Sequence, residues 1–523
     1  MSKTDHSSNM KSNLSRRTFV KGLAAAGVAG TFGAPFKAGA STPNKGGTFK
    51  IGMDGGSTTD SMDPILAVDQ VMRNINLATY DTLVELQSDG QLKGSLLENI
   101  ETGKDAAEWI LDIRKGVEFH DGKSLDADDV IYSIGRHLGE DTKSPVKALF
   151  SGVDSMKADG KNRVRISLTS PNADFAYYFN DYKLCIYQDG FTDWANPVGC
   201  GGYKLSNIEL GVSASGERNP NYFKEGRAHV DSYELTVIND ATARVSALTS
   251  GQVHAINNVD RKAAKLLDDW SNVNVVVSVG KKHHTMAMTC TTAPFDNNDV
   301  RLALKYAIDR ELVLKNAFSG YGSLGNDHPV SSGDPFFHSE LPQTAYDPDK
   351  AAHHLKKSGL DNLSVELFAG PGAGAEALDT AQLFKESGDK VEGLSIDIKR
   401  VPADGYWSKI WMKKAFFMSY WSPRPTADMI LSYAYHSSAK YNEARFSDAK
   451  FDQLIDAARG EADLAKRKQM YWDAQEILNG RGGSIIFAFA DLIDAHDTKI
   501  NGFVADSAND FSGSRAIDRV WFA

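Results

Sequence analysis

The densest local chemistry in the sequence is the run Ser419-Tyr420-Trp421-Ser422-Pro423-Arg424-Pro425-Thr426-Ala427-Asp428, with Tyr406, Trp407 and Trp411 upstream. Two prolines within three residues predict an ordered loop and not a helix, because each lacks an N–H and fixes its own φ. The arginine between them belongs to no regular amphipathic face. Its guanidinium presents paired donors to a planar anion, which suits it to clamp a carboxylate. A charged hydrogen bond of that kind contributes about 1.5–3 kcal/mol. The competing arrangement pairs Arg424 with Asp428 and merely stiffens the loop. Trp421 and Trp407 are candidate pocket walls; core packing is the alternative for both, and the preferred reading for Trp411. Asn442 and Arg445, in Tyr441-Asn442-Glu443-Ala444-Arg445-Phe446, are candidates for completing the polar shell.

Other residue patterns argue against catalysis. Hydrolysis needs a nucleophile, a base and an orienting group. The sequence carries no nucleophile elbow, no zincin helix and no telling pair of carboxylates, so no enzymatic activity and no cofactor are expected. His283-His284, near Met286, Met288 and Cys290, has soft-metal character. Neighbouring histidines on a strand point to opposite faces, however, and His353-His354 on a helix diverge by about 100°. No metal site is expected. Gly370-Pro371-Gly372-Ala373-Gly374 has the wrong spacing for a dinucleotide fingerprint, and its proline removes an amide that should face phosphate. It reads as a tight turn. Cys185, Cys200 and Cys290 are too few for a disulfide scaffold and are read as buried apolar residues, with at most one bridge among them.

These residues sit in a chain long enough, at 523 residues, for two or three lobes. The first 40 residues stand apart. Ser15-Arg16-Arg17-Thr18-Phe19-Val20-Lys21 resembles a twin-arginine export signal, a weakly apolar stretch runs from Gly22 to Ala34, and Ala38-Gly39-Ala40 offers a cleavage site after Ala40. The stretch is too short and glycine-rich for an anchor, and no cysteine precedes Cys185, which excludes a lipoprotein. A soluble, periplasmic mature chain is expected. Residues 1–40 hold six basic groups against one acidic group, so the formal charge of −10 becomes −15 for the remainder. An acidic body argues against nucleic acid and against anionic membranes.

The body alternates strand-like and helix-like stretches, an α/β pattern. Strands are predicted at Thr48–Met53, Glu108–Arg114 and Asn162–Leu168, and a helix over Ala127–His137 after an acidic start. A second unit begins near Pro294. It has one helical stripe over Val300–Ala317, a helix over Asp349–Ser358 stopped by Gly359, and a βαβ unit of Leu363–Phe368, Ala375–Ser387 and Leu394–Val401.

Four stretches, in order, resemble the extracellular solute-binding proteins of the peptide, opine and nickel class (family 5). They are Arg114-Lys115-Gly116-Val117-Glu118-Phe119-His120-Asp121-Gly122 with Ala127-Asp128-Asp129-Val130; Pro197-Val198-Gly199-Cys200-Gly201-Gly202-Tyr203; Arg218-Asn219-Pro220-Asn221-Tyr222-Phe223 with Ala247–Val253; and Pro294-Phe295-Asp296 with Val300-Arg301 and Ala307-Ile308-Asp309-Arg310. In the second, cysteine and glycine replace the family's threonine and proline. The motifs are turns and caps; His120 is read as structural.

The resemblance implies a two-lobed α/β periplasmic-binding-protein fold of the class II type, with an extra α/β subdomain at about 81–185. Lobe I is expected at 41–285 plus 486–523, lobe II at 286–485, and the ligand between them. It further implies a monomer that captures a small peptide, opine or similar zwitterion by hinge closure and delivers it to the permease subunits of an ABC importer. The alternatives are another solute (a nickel complex or a sugar) or a ligand sensor uncoupled from transport. In peptide-binding relatives an acidic residue after a tryptophan-ended strand meets the ligand's amine, and the resemblance gives Asp428 that role.

Overall fold

The computed structural model describes residues 43–523 apart from 68, 89, 104, 105, 403, 404 and 508. The export signal, with Arg16, Arg17 and Ala40, lies outside the described residues. Two lobes share one mixed sheet. Its order is Leu394–Arg400, Leu363–Ala369, Phe416–Trp421, Val273–Met288, Ser484–Asp497, Ala255–Ile256, Thr48–Met53, Ser232–Val237, Ser213–Arg218 and Tyr203–Glu209, with Gly322–Leu324 also paired to Ser484–Asp497.

Two strands hold the lobes together. Val273–Met288 has 16 residues and spans roughly 50 Å at strand rise. It runs antiparallel to the 14-residue Ser484–Asp497 throughout. This ribbon runs from one lobe into the other. Partway along it the register slips: Ser278 faces Leu492, but Lys282 faces Ala490. This bulge needs Gly280, whose Cβ, if it had one, would stand 1.8 Å from the Ala490 carbonyl oxygen. The Gly280 N–H donates to Asp491 Oδ1 at 3.3 Å.

In lobe II the predicted βαβ unit forms: Leu363–Ala369 and Leu394–Arg400 pair in parallel, joined by the helix Ala377–Gly388. The glycines before that helix serve close packing. A Cβ on Gly370 would meet the Val401 carbonyl oxygen at 2.2 Å, and one on Gly372 the Tyr406 Cβ at 2.5 Å. The stripe over Val300–Ala317 is two helices instead of one, Asn298–Ala307 and Arg310–Asn316. Ile308 is extended, and Asp309 caps the second helix by accepting from the Leu312 N–H at 2.9 Å. Apolar periodicity passed through the break because both helices pack into the same core; the cap decides it.

The extra subdomain is a four-stranded antiparallel sheet, Leu97–Thr102, Glu108–Ile113, Arg163–Leu168 and Val153–Ala158, packed on the helix Ala127–Gly135. Asp126 and Asp129 form a capping box at that helix. Two of the sequence motifs meet here. His120 Nε2 lies 3.1 Å from the Gly201 carbonyl, and its Nδ1 accepts from the Gly199 N–H at 3.4 Å. Burial lowers the His120 pKa to about 4, so the ring is neutral. Gly199 and Gly201 in turn press on the end of the helix Gln70–Thr79, where any Cβ would strike the Thr79 and Ala78 carbonyls. All three cysteines are free, Cys185 and Cys200 buried and Cys290 half-buried. Among the described residues no helix is long and apolar enough to cross a membrane.

Candidate functional site

A cavity of about 890 Å³ opens between the lobes. Gln70, Arg73 and Asp510 of lobe I, Tyr178 and Lys183 of the subdomain, and Lys282 and Leu492 of the long strands line it. Lobe II contributes Tyr420, Arg424, Asp428, Tyr433 and Arg459. The lobe II wall follows directly from local sequence. Phe416–Trp421 is a strand, Pro423 and Pro425 prevent its extension, and Thr426 starts the helix Ala427–Ala434 by accepting from the Met429 N–H at 3.3 Å.

Arg424 is held inside that loop. It donates to the Ser422 and Pro423 carbonyls, both at 3.1 Å, and its guanidinium stands 5.1 Å from the centre of the Tyr433 ring. Among the described residues no carboxylate lies within 4 Å of it. Burial pushes its pKa below the ordinary arginine value, against weaker opposing effects of Tyr433 and Asp181. Asp428 does not partner it. Asp428 is 2% exposed, pairs with Arg459 Nε at 3.2 Å and accepts from the Ser432 and Tyr471 hydroxyls. Burial raises its carboxyl, and Arg459 opposes the shift. Of the two arrangements open to Arg424, the internal pair with Asp428 is therefore not the one adopted.

The remaining sequence candidates lie off the cavity. Trp421 is 7% exposed and donates to Glu443 Oε1 at 3.0 Å, while Trp411 donates to Glu443 Oε2 at 2.7 Å. Glu443, raised by burial and lowered by those indoles, is a buried anchor that sequence reasoning passed over. Trp407 is 43% exposed and meets Tyr420 and Trp411 edge-on at 5.6 and 5.7 Å. Asn442 accepts from the Phe446 N–H at 3.1 Å and donates to its carbonyl at 2.7 Å, closing its own loop. Arg445 is exposed with φ +49°. The aromatic side chains of lobe II that line the cavity are Tyr420 and Tyr433. Strand alternation could have found Tyr420, since it must face away from its neighbour Trp421.

His283 and His284 do diverge. His283 Nε2 is 2.9 Å from the Tyr435 hydroxyl, whereas His284 packs edge-on against Phe318 at 5.0 Å. Burial lowers His283 to about 3 and His284 well below its ordinary value. His354 pairs with Asp299 at 2.8 Å. Among the described residues no group of three or more His, Cys, Asp or Glu is placed to hold a metal ion. At the rim, the lobes touch directly: the Ala173 N–H donates to the Arg459 carbonyl at 2.8 Å, and Asp174 pairs with Arg467 at 2.7 Å. Arg261 of lobe I also pairs with Glu376 of lobe II.

Comparison with known proteins agrees with this architecture. The model of bacterial extracellular solute-binding proteins, family 5 Middle, matches residues 91–443. The glutathione-binding protein GsiB of Pectobacterium atrosepticum is 26% identical over 467 residues, covering 86% of this chain and 90% of its own. The binding protein AgaA in complex with agropinic acid, from A. tumefaciens R10, superposes with a TM-score of 0.74 at 22% identity, over 91% of this chain and 99% of its own. HbpA2 from Haemophilus parasuis gives 0.80 at 20% identity, over 91% and 100%. The chain thus has the two-lobed fold of these binding proteins.

Proposed function

Because the chain belongs to the bacterial extracellular solute-binding proteins of family 5, we propose that it is the ligand-capturing subunit of an ABC importer, closing on a small zwitterion that bears a carboxylate, such as a short peptide or an opine. One observation carries the ligand class: Arg424, in the cleft wall, has no carboxylate within 4 Å among the described residues. A desolvated charge without a counter-ion is costly, and an anionic ligand would offset that cost. Arg424 and Asp428 are the assigned contacts, with Tyr420 and Tyr433 as walls in place of Trp407 and Trp421. Asn442 shapes the loop.

The chain works as a monomer in the periplasm, exported through its twin-arginine segment, and its closed form docks on the permease. It performs no catalysis. Lobe I comprises 41–285 and 486–523 and lobe II 286–485, and the bulge at Gly280 lies beside both limits. Closure bends the paired strands there, expelling water from the ligand.

The test is a thermal-shift screen of the mature chain against di- and tripeptides, opines, sugars and nickel. A ligand at 100 times its Kd adds about 2.7 kcal/mol to stability. Arg424→Ala abolishes the shift for carboxylate ligands and leaves the unliganded midpoint unchanged. A response to nickel or neutral sugars alone, or unchanged affinity in Arg424→Ala, overturns the reading.

A further inference from the structure

The geometry points to Lys282 as a second anion-binding group in the cleft, so that the captured solute carries two carboxylates. This inference rests on the ligand-capturing function just proposed and narrows the ligand within it. Lys282 stands at the lobe II end of the bulge, in register with Ala490, and lines the cavity. Its ammonium lies 4.3 Å from the centre of the Tyr420 ring. Among the described residues no carboxylate comes within 4 Å of it. Glu376 is the acidic group whose charge reaches it, and Glu376 is already paired with Arg261.

Three other cations of the wall are paired. Arg459 pairs with Asp428, Lys183 approaches Asp181 at 3.9 Å, and Arg515 pairs with Asp81 at 3.3 Å. Arg73 donates to Asn509 and its charge acts on Asp510. Among the described residues Lys282, Arg424 and Arg73 have no carboxylate within 4 Å, and of these Lys282 and Arg424 each stand over a tyrosine ring of the lobe II wall. Lys282 rides on Tyr420, which packs against Trp407; Arg424 rides on Tyr433, which packs against Trp421. Tyr420 and Trp421 are consecutive strand residues and face opposite sides of the sheet. The two cations thus rest on different rings of the cleft wall, and we assign a separate carboxylate to each. Burial lowers the Lys282 pKa, which fits an ammonium awaiting a counter-ion.

Equilibrium binding by calorimetry tests this with three probes: glutathione, which has two carboxylates, its glycine amide, which has one, and trialanine. Glutathione binds the unaltered mature chain at least tenfold tighter than its amide. Lys282→Gln removes that difference by weakening glutathione tenfold or more, leaves the amide's affinity unchanged, and Lys282→Arg restores the difference. Lys282→Gln that spares glutathione, or weakens both equally, overturns the inference. Trialanine bound more tightly than glutathione, and lost in Arg424→Ala, overturns the two-carboxylate ligand while leaving the proposed function standing. No binding of any probe overturns the inference, and the wider screen then decides the function separately.

Discussion

Two regions of this molecule gather arginine and lysine, and they treat charge in opposite ways. In the lobe I junction, Glu85 accepts from Arg227 at 2.8 Å and Arg519 at 2.5 Å, and pairs with Lys224 at 3.2 Å. Asp81 beside it pairs with Lys224 at 2.8 Å and Arg515 at 3.3 Å. Every charge there has a partner, and the charges come from three distant parts of the chain, 81–85, 224–227 and 515–519. In the cleft wall, among the described residues, Arg424, Lys282 and Arg73 have no carboxylate within 4 Å. A saturated network fixes a fold, because its charges were desolvated once and matched on folding. An unsaturated wall leaves part of the electrostatic energy to be collected when a ligand arrives.

The largest expected effect lies in the saturated region. Glu85→Gln leaves Arg519 and Arg227 without their anion, and breaking a buried pair in this way costs about 3–5 kcal/mol. The melting midpoint falls accordingly, while ligand affinity per folded molecule stays within twofold. Acid does the same reversibly. Burial alone would raise the Glu85 carboxyl, but Arg515, Lys224, Arg227 and Arg519 outweigh it and hold the group well below the carboxylate range. Its contribution is complete above the unfolded glutamate pKa near 4.3 and is lost as the pH falls from there. A midpoint that falls as much in Arg424→Ala as in Glu85→Gln would erase the contrast between the two regions.

A second acid-sensitive element sits between the motifs at His120. Its folded pKa of about 4 lies below the unfolded value of about 6.5. Between those values the unfolded chain binds a proton that the folded chain does not, so stability declines as the pH falls through that window. The full decline is about 3 kcal/mol. His120→Asn flattens the stability–pH curve between pH 6.5 and 4; an unchanged slope would show that His120 is not the group responsible.

The strands and the βαβ unit were legible in the sequence because each rests on local signals: alternation, an acidic cap, a glycine stop; the extra subdomain was implied only by the family resemblance. Arg424 was legible because an arginine between two prolines has no secondary-structure role to explain it. Its pairing was not, since Asp428 finds Arg459, a residue 31 positions away on another helix. Lys282 was equally hidden. Nothing in Lys281-Lys282-His283-His284 says which side chain meets a cavity until the Gly280 bulge sets the register. The tryptophans misled for the same reason: an indole suits a ligand wall and a buried carboxylate equally well, and Glu443 decides between them only in three dimensions.

Those tryptophans give the finest test of the contrast, and the smallest effects. Trp421→Phe removes the donor to Glu443 Oε1, leaving a buried acceptor unmet at a cost of about 1–3 kcal/mol. Trp407→Phe, at a half-exposed position, changes stability by no more than about 0.5 kcal/mol. Neither side chain lines the cavity, so both variants retain the ligand affinity of the unaltered chain within twofold, measured by calorimetry on folded protein. Tyr420→Ala behaves differently. It removes the ring beneath Lys282 and weakens ligand binding by several-fold. A loss of affinity in Trp421→Phe equal to that in Tyr420→Ala would show that the indole anchored on Glu443 matters to the ligand as much as the ring beneath Lys282.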